Sequence, residues 1–151
     1  MKALIQCVKK ASVTVDGQII GKIDKGILVY LGITHGDGEA EIKYLLEKII
    51  NLRIYPNDEG KLDKSLIDVA GSILLVSQFT LYGSADKGRR PDFGLAAPIE
   101  EAKATYNKAV EIFKASNIPV ETGQFQAHML VESINDGPFT MMLESRANSI
   151  V

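Results

Sequence analysis

The sequence predicts an α+β fold in which mostly antiparallel sheets form a barrel-like core, with about two amphipathic helices set between runs of strands. Three observations predict it. Short runs rich in Val, Ile and Leu fill the N-terminal third and return near the C-terminus, two segments carry the three-and-four apolar spacing of helices, and those segments fall between groups of strands instead of after every strand.

Residues 3–8 (ALIQCV), 12–15 (SVTV), 18–23 (QIIGKI) and 27–33 (ILVYLGI) read as strands, with Asp16 and Gly17 as a two-residue hairpin turn. From 40 to 53, Ile42, Leu45, Leu46, Ile49 and Ile50 recur on one side of a helix that must bury that side. PNDEG at 56–60 then breaks the chain. The run SILLVSQFTL, 72–81, is apolar almost throughout, as a central strand covered on both faces requires.

A second helix opens near Pro98, whose missing N–H is not needed in a first turn, and Glu100 and Glu101 complement the positive end of its dipole. It buries Ala102, Tyr106, Ala109, Val110 and Phe113 and stops before Pro119. Residues 124–134 and 139–144 read as strands, with Phe125, Ala127, Met129 and Val131 on one face and His128 on the other. No repeat, low-complexity tract or Pro/Ser-rich linker divides the chain, so residues 1–151 are expected to form one domain, with 146–151 as a C-terminal tail.

Composition removes several function classes. A chain of 151 residues buries about two-thirds of its unfolded surface, so no covalent staple is needed. No apolar run approaches the roughly 20 residues of a membrane helix, and the start MKALIQCVKKASVTV reads as a strand with no cleavage site, which predicts a cytoplasmic protein. Cys7 alone excludes an internal disulfide, and His35 and His128 offer no zinc-ligand spacing, so no metal is expected. The net charge of −2 argues against a protein that holds DNA or other long nucleic acid by bulk electrostatics.

Three stretches carry chemistry. In SQFT, Ser77, Gln78 and Thr80 bring polar side chains to the end of an apolar strand, where each needs a partner or a purpose. A hydroxyl becomes a nucleophile only beside a base, and neither histidine is near in sequence. KGRRPDF is a loop by its Gly88 and Pro91, and it gathers Lys87, Arg89 and Arg90, cations suited to phosphate or simply to solvent.

NDGPFT, 135–140, is the third stretch. It is wrong for an ordinary hairpin, because Pro138 has no N–H for the ladder that should follow. A Gly-Pro bond is one of the few that adopts cis at small cost, and glycine before proline lets a ligand touch bare main chain. A plain trans loop is the alternative.

SQFTLY at 77–82, KGRRPDF at 87–93 and NDGPFT at 135–140, in that order, resemble the D-aminoacyl-tRNA deacylase family, and the likeness extends from residue 1 to about 146 through ASVTVDG, LVYLGI, KIINLRIY and DVAGSILLVSQFTLY. The resemblance implies a cofactor-free cytoplasmic homodimer for translation quality control, which hydrolyses the ester between a D-amino acid and the terminal adenosine of tRNA. It implies that Ser77, Gln78, Phe79 and Thr80 line the adenosine and ester pocket and that Lys87, Arg89 and Arg90 meet the acceptor end. It further implies that Gly137 and Pro138, joined by a cis bond, reach into the partner subunit as a chiral gate that excludes L side chains yet cannot refuse glycine.

Two mechanisms stay open under this resemblance: attack by Thr80, or attack by water assisted by the tRNA's own 2′-OH, with the Phe79 N–H stabilising the oxyanion. The sequence also departs from the family's habit. Cys7 stands where an Arg is common, Phe139 follows the Gly-Pro in place of a small β-branched residue, and Gln126 and His128 replace Gly and Asp. Two other readings remain: an RNA-end binding module without turnover, and a small-molecule esterase using Thr80 or Ser77.

Overall fold

The computed structural model describes residues 1–145; the expected tail at 146–151 lies outside the described residues. Three strands come first, β1 (Lys2–Val15), β2 (Gln18–Ile23) and β3 (Gly26–Gly32), followed by helix α1 (Glu39–Asn51). A short pair, β4 (Tyr55–Pro56) and β5 (Leu62–Lys64), leads to the central strand β6 (Ser72–Ser77) and a 3-10 turn, Phe79–Tyr82. Helix α2 (Ile99–Lys114), β7 (Val120–Thr122) and β8 (Leu130–Glu144) complete the described chain.

The sheet is mixed and nearly closes into a barrel, in agreement with the α+β expectation. The order is β2-β1-β3-β6-β7, and β8 pairs with β1. β1 pairs antiparallel with β3 along its first half, with β2 along its second, and with β8 along almost its whole length. The pairings β3–β6 and β6–β7 are parallel, and α1 and α2 lie in the two connections, as parallel neighbours demand a crossover.

Burial follows the strand period. Ile27, Val29 and Leu31 of β3 and Ile73 and Leu75 of β6 pack with Ile42, Leu45 and Ile49 of α1 and Tyr106, Ala109 and Phe113 of α2. The opposite faces, Leu28, Leu74 and Val76, meet Val8, Val13, Val15 and Ile23 inside the barrel. Both central strands are therefore covered on each face, which is why their sequences run apolar without alternation.

Three predicted boundaries change. Residues 3–8 and 12–15 belong to one strand, because the exposed Lys9-Lys10 is a bulge, marked by register shifts against β8, and not a break. The bulge moves β1 from one core to the other: Ala3, Ile5 and Cys7 face the helices, while Val8, Ala11 and Val13 face the barrel. The predicted strand 72–81 ends at Ser77 and turns into the 3-10 segment.

At 124–129 the chain forms a turn instead of a strand; the Ala127 N–H donates to the Gln124 carbonyl and Gln126 sits at φ +65°. NDGPFT, in contrast, is no hairpin but the middle of β8, which pairs with β1 on either side of it. The Asp16-Gly17 turn is as expected, with φ positive at both residues as a type I′ hairpin needs.

Candidate active site

The end of β6 is where the polar residues emerge from the core. The Gln78 N–H donates to the Leu31 carbonyl, which fastens the residue just after the strand to β3. Gly32 permits this close packing, since a β carbon there would lie 3.0 Å from Leu81 Cβ and 3.1 Å from the Gln78 carbonyl oxygen. The backbone then tightens into the 3-10 turn and leaves Phe79 54% exposed, an unusual state for a large apolar side chain on a buried strand's end.

Phe79 stands edge-on to Phe93, ring centroids 5.0 Å apart. These rings form part of a cleft of about 630 Å³, whose walls include Ser77, Gln78, Ile33, Pro98, Phe125 and Met129. The wall is braced from below. Tyr106 of α2 donates its hydroxyl to the Leu75 carbonyl at 3.0 Å and packs its ring 5.7 Å from Phe125. Burial pushes that phenol above its ordinary range, so it remains a neutral donor.

Of the four residues predicted at this site, Ser77, Gln78 and Phe79 line the cleft; Thr80 is exposed on the next step of the turn and lies outside the lining. Among the described residues no base accepts a hydrogen bond from the Thr80 hydroxyl. His35 instead bonds the Gly94 carbonyl at 3.2 Å, and His128 is exposed. The Phe79 N–H opens the 3-10 turn, where no intrahelical acceptor is available to it.

The basic loop rises beside the same cleft. Ser84 and Asp92 exchange two backbone hydrogen bonds of 2.8 Å, pinching off a lobe that carries Lys87, Arg89 and Arg90 into solvent, and Phe93 directly after the pinch anchors it to Phe79. None of the three cations forms an ion pair among the described residues.

Gly137 and Pro138 lie elsewhere. Their peptide bond is cis, both are exposed on β8, and neither lines the cleft of its own chain. β1 pairs Gln6 with Thr140 and Val8 with Asn135, so residues 136–139 bulge out opposite Cys7. Gly137 has φ +135°, and a β carbon on it would lie 2.7 Å from the Phe139 nitrogen.

Cys7 itself is 3% exposed and faces the core beside Tyr55. Burial raises its thiol pKa, the Tyr55 hydrogen bond opposes that, and the Asp136 charge adds to it. The net shift is upward, so the thiol is protonated at neutral pH and is no nucleophile.

The sequence did not reveal the cleft's second wall, Phe93, Ala96, Ala97, Pro98, Ile99 and Ala102. The available signal was the aperiodic apolar run FGLAAPI ahead of α2. A smaller groove of about 310 Å³ on the outer face of β1, β2 and β8 includes none of the predicted site residues.

The sequence model of the D-Tyr-tRNA(Tyr) deacylase family matches residues 4–144. A relative from Thermosipho africanus, named D-aminoacyl-tRNA deacylase, is 51% identical over 146 residues, covering 97% of this chain and 98% of the relative. One of the same name from Chloroherpeton thalassium is 52% identical, covering 96% of each. Among solved structures, the c-Myc DNA Unwinding Element Binding Protein superposes with a TM-score of 0.90 at 45% identity, over 97% of this chain and 100% of that chain. A probable eukaryotic D-amino acid tRNA deacylase shares the fold at a TM-score of 0.77 and 17% identity, over 94% and 97% of the two chains. With the match running from β1 to β8, the chain belongs to the D-Tyr-tRNA(Tyr) deacylase family.

Proposed function

We propose that the chain hydrolyses the ester between a D-amino acid and the terminal adenosine of tRNA, in the cytoplasm, as a homodimer in which Gly137 and Pro138 of each subunit close the other's cleft. Membership of the family makes it a D-aminoacyl-tRNA deacylase, a hydrolase of that ester. The observation that carries the dimeric reading is the separation of two motifs within one chain: Ser77, Gln78 and Phe79 line the cleft, while Gly137 and Pro138 are exposed and line none of it.

The free edge of β8 supports a second copy. β8 pairs with β1 alone among the described strands, and Leu130, Ile134, Met141 and Met142 are exposed along it. A long apolar edge is a liability unless covered, and a two-fold assembly covers it with the same patch of a partner. The arrangement then carries each gate to the other subunit's ester.

In the cleft, the terminal base finds aromatic and aliphatic walls, with Phe79 and Phe93 available for stacking. Lys87, Arg89 and Arg90 hold the acceptor phosphates from the adjoining lobe. Water attacks the ester carbon, the Phe79 N–H takes the developing oxyanion, and the attacking proton is relayed through the tRNA 2′-OH toward the departing 3′-oxygen. Free D-amino acid and tRNA leave. Among the described residues no base is placed to take the Thr80 proton, which supports the RNA-assisted route over attack by Thr80.

Selectivity follows from stereochemistry. Main-chain groups of Gly137 and Pro138 meet the substrate's α-amino group and leave no room for an L side chain. Glycine has no side chain to refuse, so glycyl-tRNA is a leaking substrate. The name of the DNA-unwinding-element relative raises duplex DNA as a partner, but the net charge of −2 and the gathering of Lys87, Arg89 and Arg90 in one loop beside the cleft favour an acceptor end.

The test is single-turnover release of amino acid from matched D-Tyr-tRNA and L-Tyr-tRNA by the purified protein. Release from the D ester alone is expected. Equal release from both, with equal action on aminoacyl-adenosine, indicates a general esterase; binding without release indicates an RNA-end binding module.

A further inference from the structure

We propose that Asn135, Thr140 and Gln6 form a side-chain brace that sets the gate's chiral selectivity by fixing the Gly137-Pro138 segment from within its own subunit. The inference rests on the deacylase reading. The β1–β8 ladder has a deficit at this segment. Between the pairs Val8↔Asn135 and Gln6↔Thr140, residues 136–139 stand opposite Cys7 alone, so sheet pairing cannot hold them. Pro138 has no N–H to offer, the Cys7 side chain is buried beside Tyr55, and of the four residues Phe139 packs on the core.

Three hydrogen bonds span the gap. The Phe139 N–H donates to Asn135 Oδ1 at 3.1 Å, Asn135 Nδ2 donates to Thr140 Oγ1 at 3.0 Å, and Gln6 Nε2 donates to the same oxygen at 3.1 Å. The orientation of the Asn135 amide is dictated by its neighbours: a backbone N–H can only donate, so the carboxamide oxygen must face Phe139 and its nitrogen must face Thr140. Asparagine supplies from one side chain both the acceptor for the Phe139 N–H and the donor for the Thr140 oxygen. The Thr140 oxygen accepts twice and thereby ties the segment, through Gln6, to β1.

Gly137 is the condition for this geometry, because a β carbon at 2.7 Å would displace the Phe139 nitrogen that Asn135 holds. A chiral gate works by distance, and a shift of about 1 Å at a positioning group costs up to about a hundredfold in rate discrimination. Asn135, Thr140 and Gln6 act through Gly137 and Pro138 and are positioning residues.

The test uses the full-length protein with Thr140→Val, Thr140→Ser, Asn135→Ala and Gln6→Ala. Two readouts are taken: amide hydrogen exchange at Phe139, and the ratio of single-turnover rates on L- and D-Tyr-tRNA. Faster Phe139 exchange in Asn135→Ala and Thr140→Val is expected. The L/D ratio should rise about tenfold, the scale of one or two net hydrogen bonds, and Thr140→Ser should restore it. A merely structural role would lower the melting temperature without moving the ratio. Unchanged Phe139 exchange, or an unchanged ratio in active Thr140→Val, overturns the brace. Should the wild type release neither ester, the deacylase reading falls, and Phe139 exchange still decides whether the brace holds the segment.

Discussion

The cleft and the gate segment are built by opposite means. The cleft grows out of the core: β6 is buried on both faces, Gln78 is bonded to β3, and Tyr106 holds the wall through the Leu75 carbonyl. Residues 136–139 have no ladder partners; Phe139 alone of them packs on the core, and the exposed Gly137 and Pro138 depend on a few polar contacts at the surface. A cleft supported by packing tolerates change at its rim. A segment supported by two or three hydrogen bonds does not, and under the proposed gate role accuracy in position is what it has to supply.

The sharpest way to break this contrast is Gly137→Ala. The new methyl group meets the Phe139 nitrogen at 2.7 Å, at a φ of +135° that L side chains rarely adopt. We expect discrimination between D- and L-Tyr-tRNA to fall about a hundredfold or more, with little change in melting temperature because Gly137 and Pro138 are exposed. Matched single-turnover rates and a thermal melt check both halves. A large loss of stability with intact discrimination would mean that the segment supports the fold and not the selection.

On the cleft side the corresponding change is Phe79→Ala. The ring is 54% exposed, so the fold loses little, but a stacking platform is removed, worth about 1–3 kcal/mol per base. KM for D-Tyr-tRNA should rise by about tenfold or more while the L/D ratio stays fixed, measured by steady-state kinetics on both esters. A shift in the ratio would show that the two regions are not separable.

The basic lobe comes next in size. Arg89→Ala with Arg90→Ala removes two cations from an exposed loop. The log–log salt dependence of tRNA binding should flatten by about 1.4, the value for two phosphate contacts on single-stranded RNA, with single-turnover chemistry at saturation unaffected. Binding titrations at several salt concentrations test it.

What the sequence made legible follows the same division. Strands β3 and β6, both helices and the Asp16-Gly17 turn were readable because apolar runs, three-and-four spacing and turn residues report local physics. Lys9-Lys10 looked like a break because a bulge carries two exposed residues in succession. Residues 124–130 do alternate between half-buried and exposed, but the period records which side faces the protein and not whether a ladder forms; Gln126 at φ +65° lies outside any strand. The second cleft wall joins Phe93 to Phe79 across the basic lobe, a long-range contact to which no local pattern points. The brace was equally hidden, since Gln6 and Thr140 meet only through register.

The smallest expected effect bears on the chemistry itself. Thr80 is one residue from the cleft's lining, exposed, and without a base among the described residues. If it were the nucleophile, Thr80→Ala would remove the group that forms the covalent intermediate, and losses of about 10⁴ or greater are the rule for such residues. If the tRNA 2′-OH assists water, Thr80→Ala should change the single-turnover rate by no more than about threefold, less than 1 kcal/mol of barrier. The complementary substrate is a D-aminoacyl-tRNA with a terminal 2′-deoxyadenosine. It retains every contact to the protein except through that hydroxyl, and its turnover should collapse with binding intact. Loss of turnover in Thr80→Ala with tRNA binding preserved, together with normal rates on the 2′-deoxy substrate, would move the reaction from the RNA to the protein and make the exposed threonine, not the positioned ester, the source of catalysis.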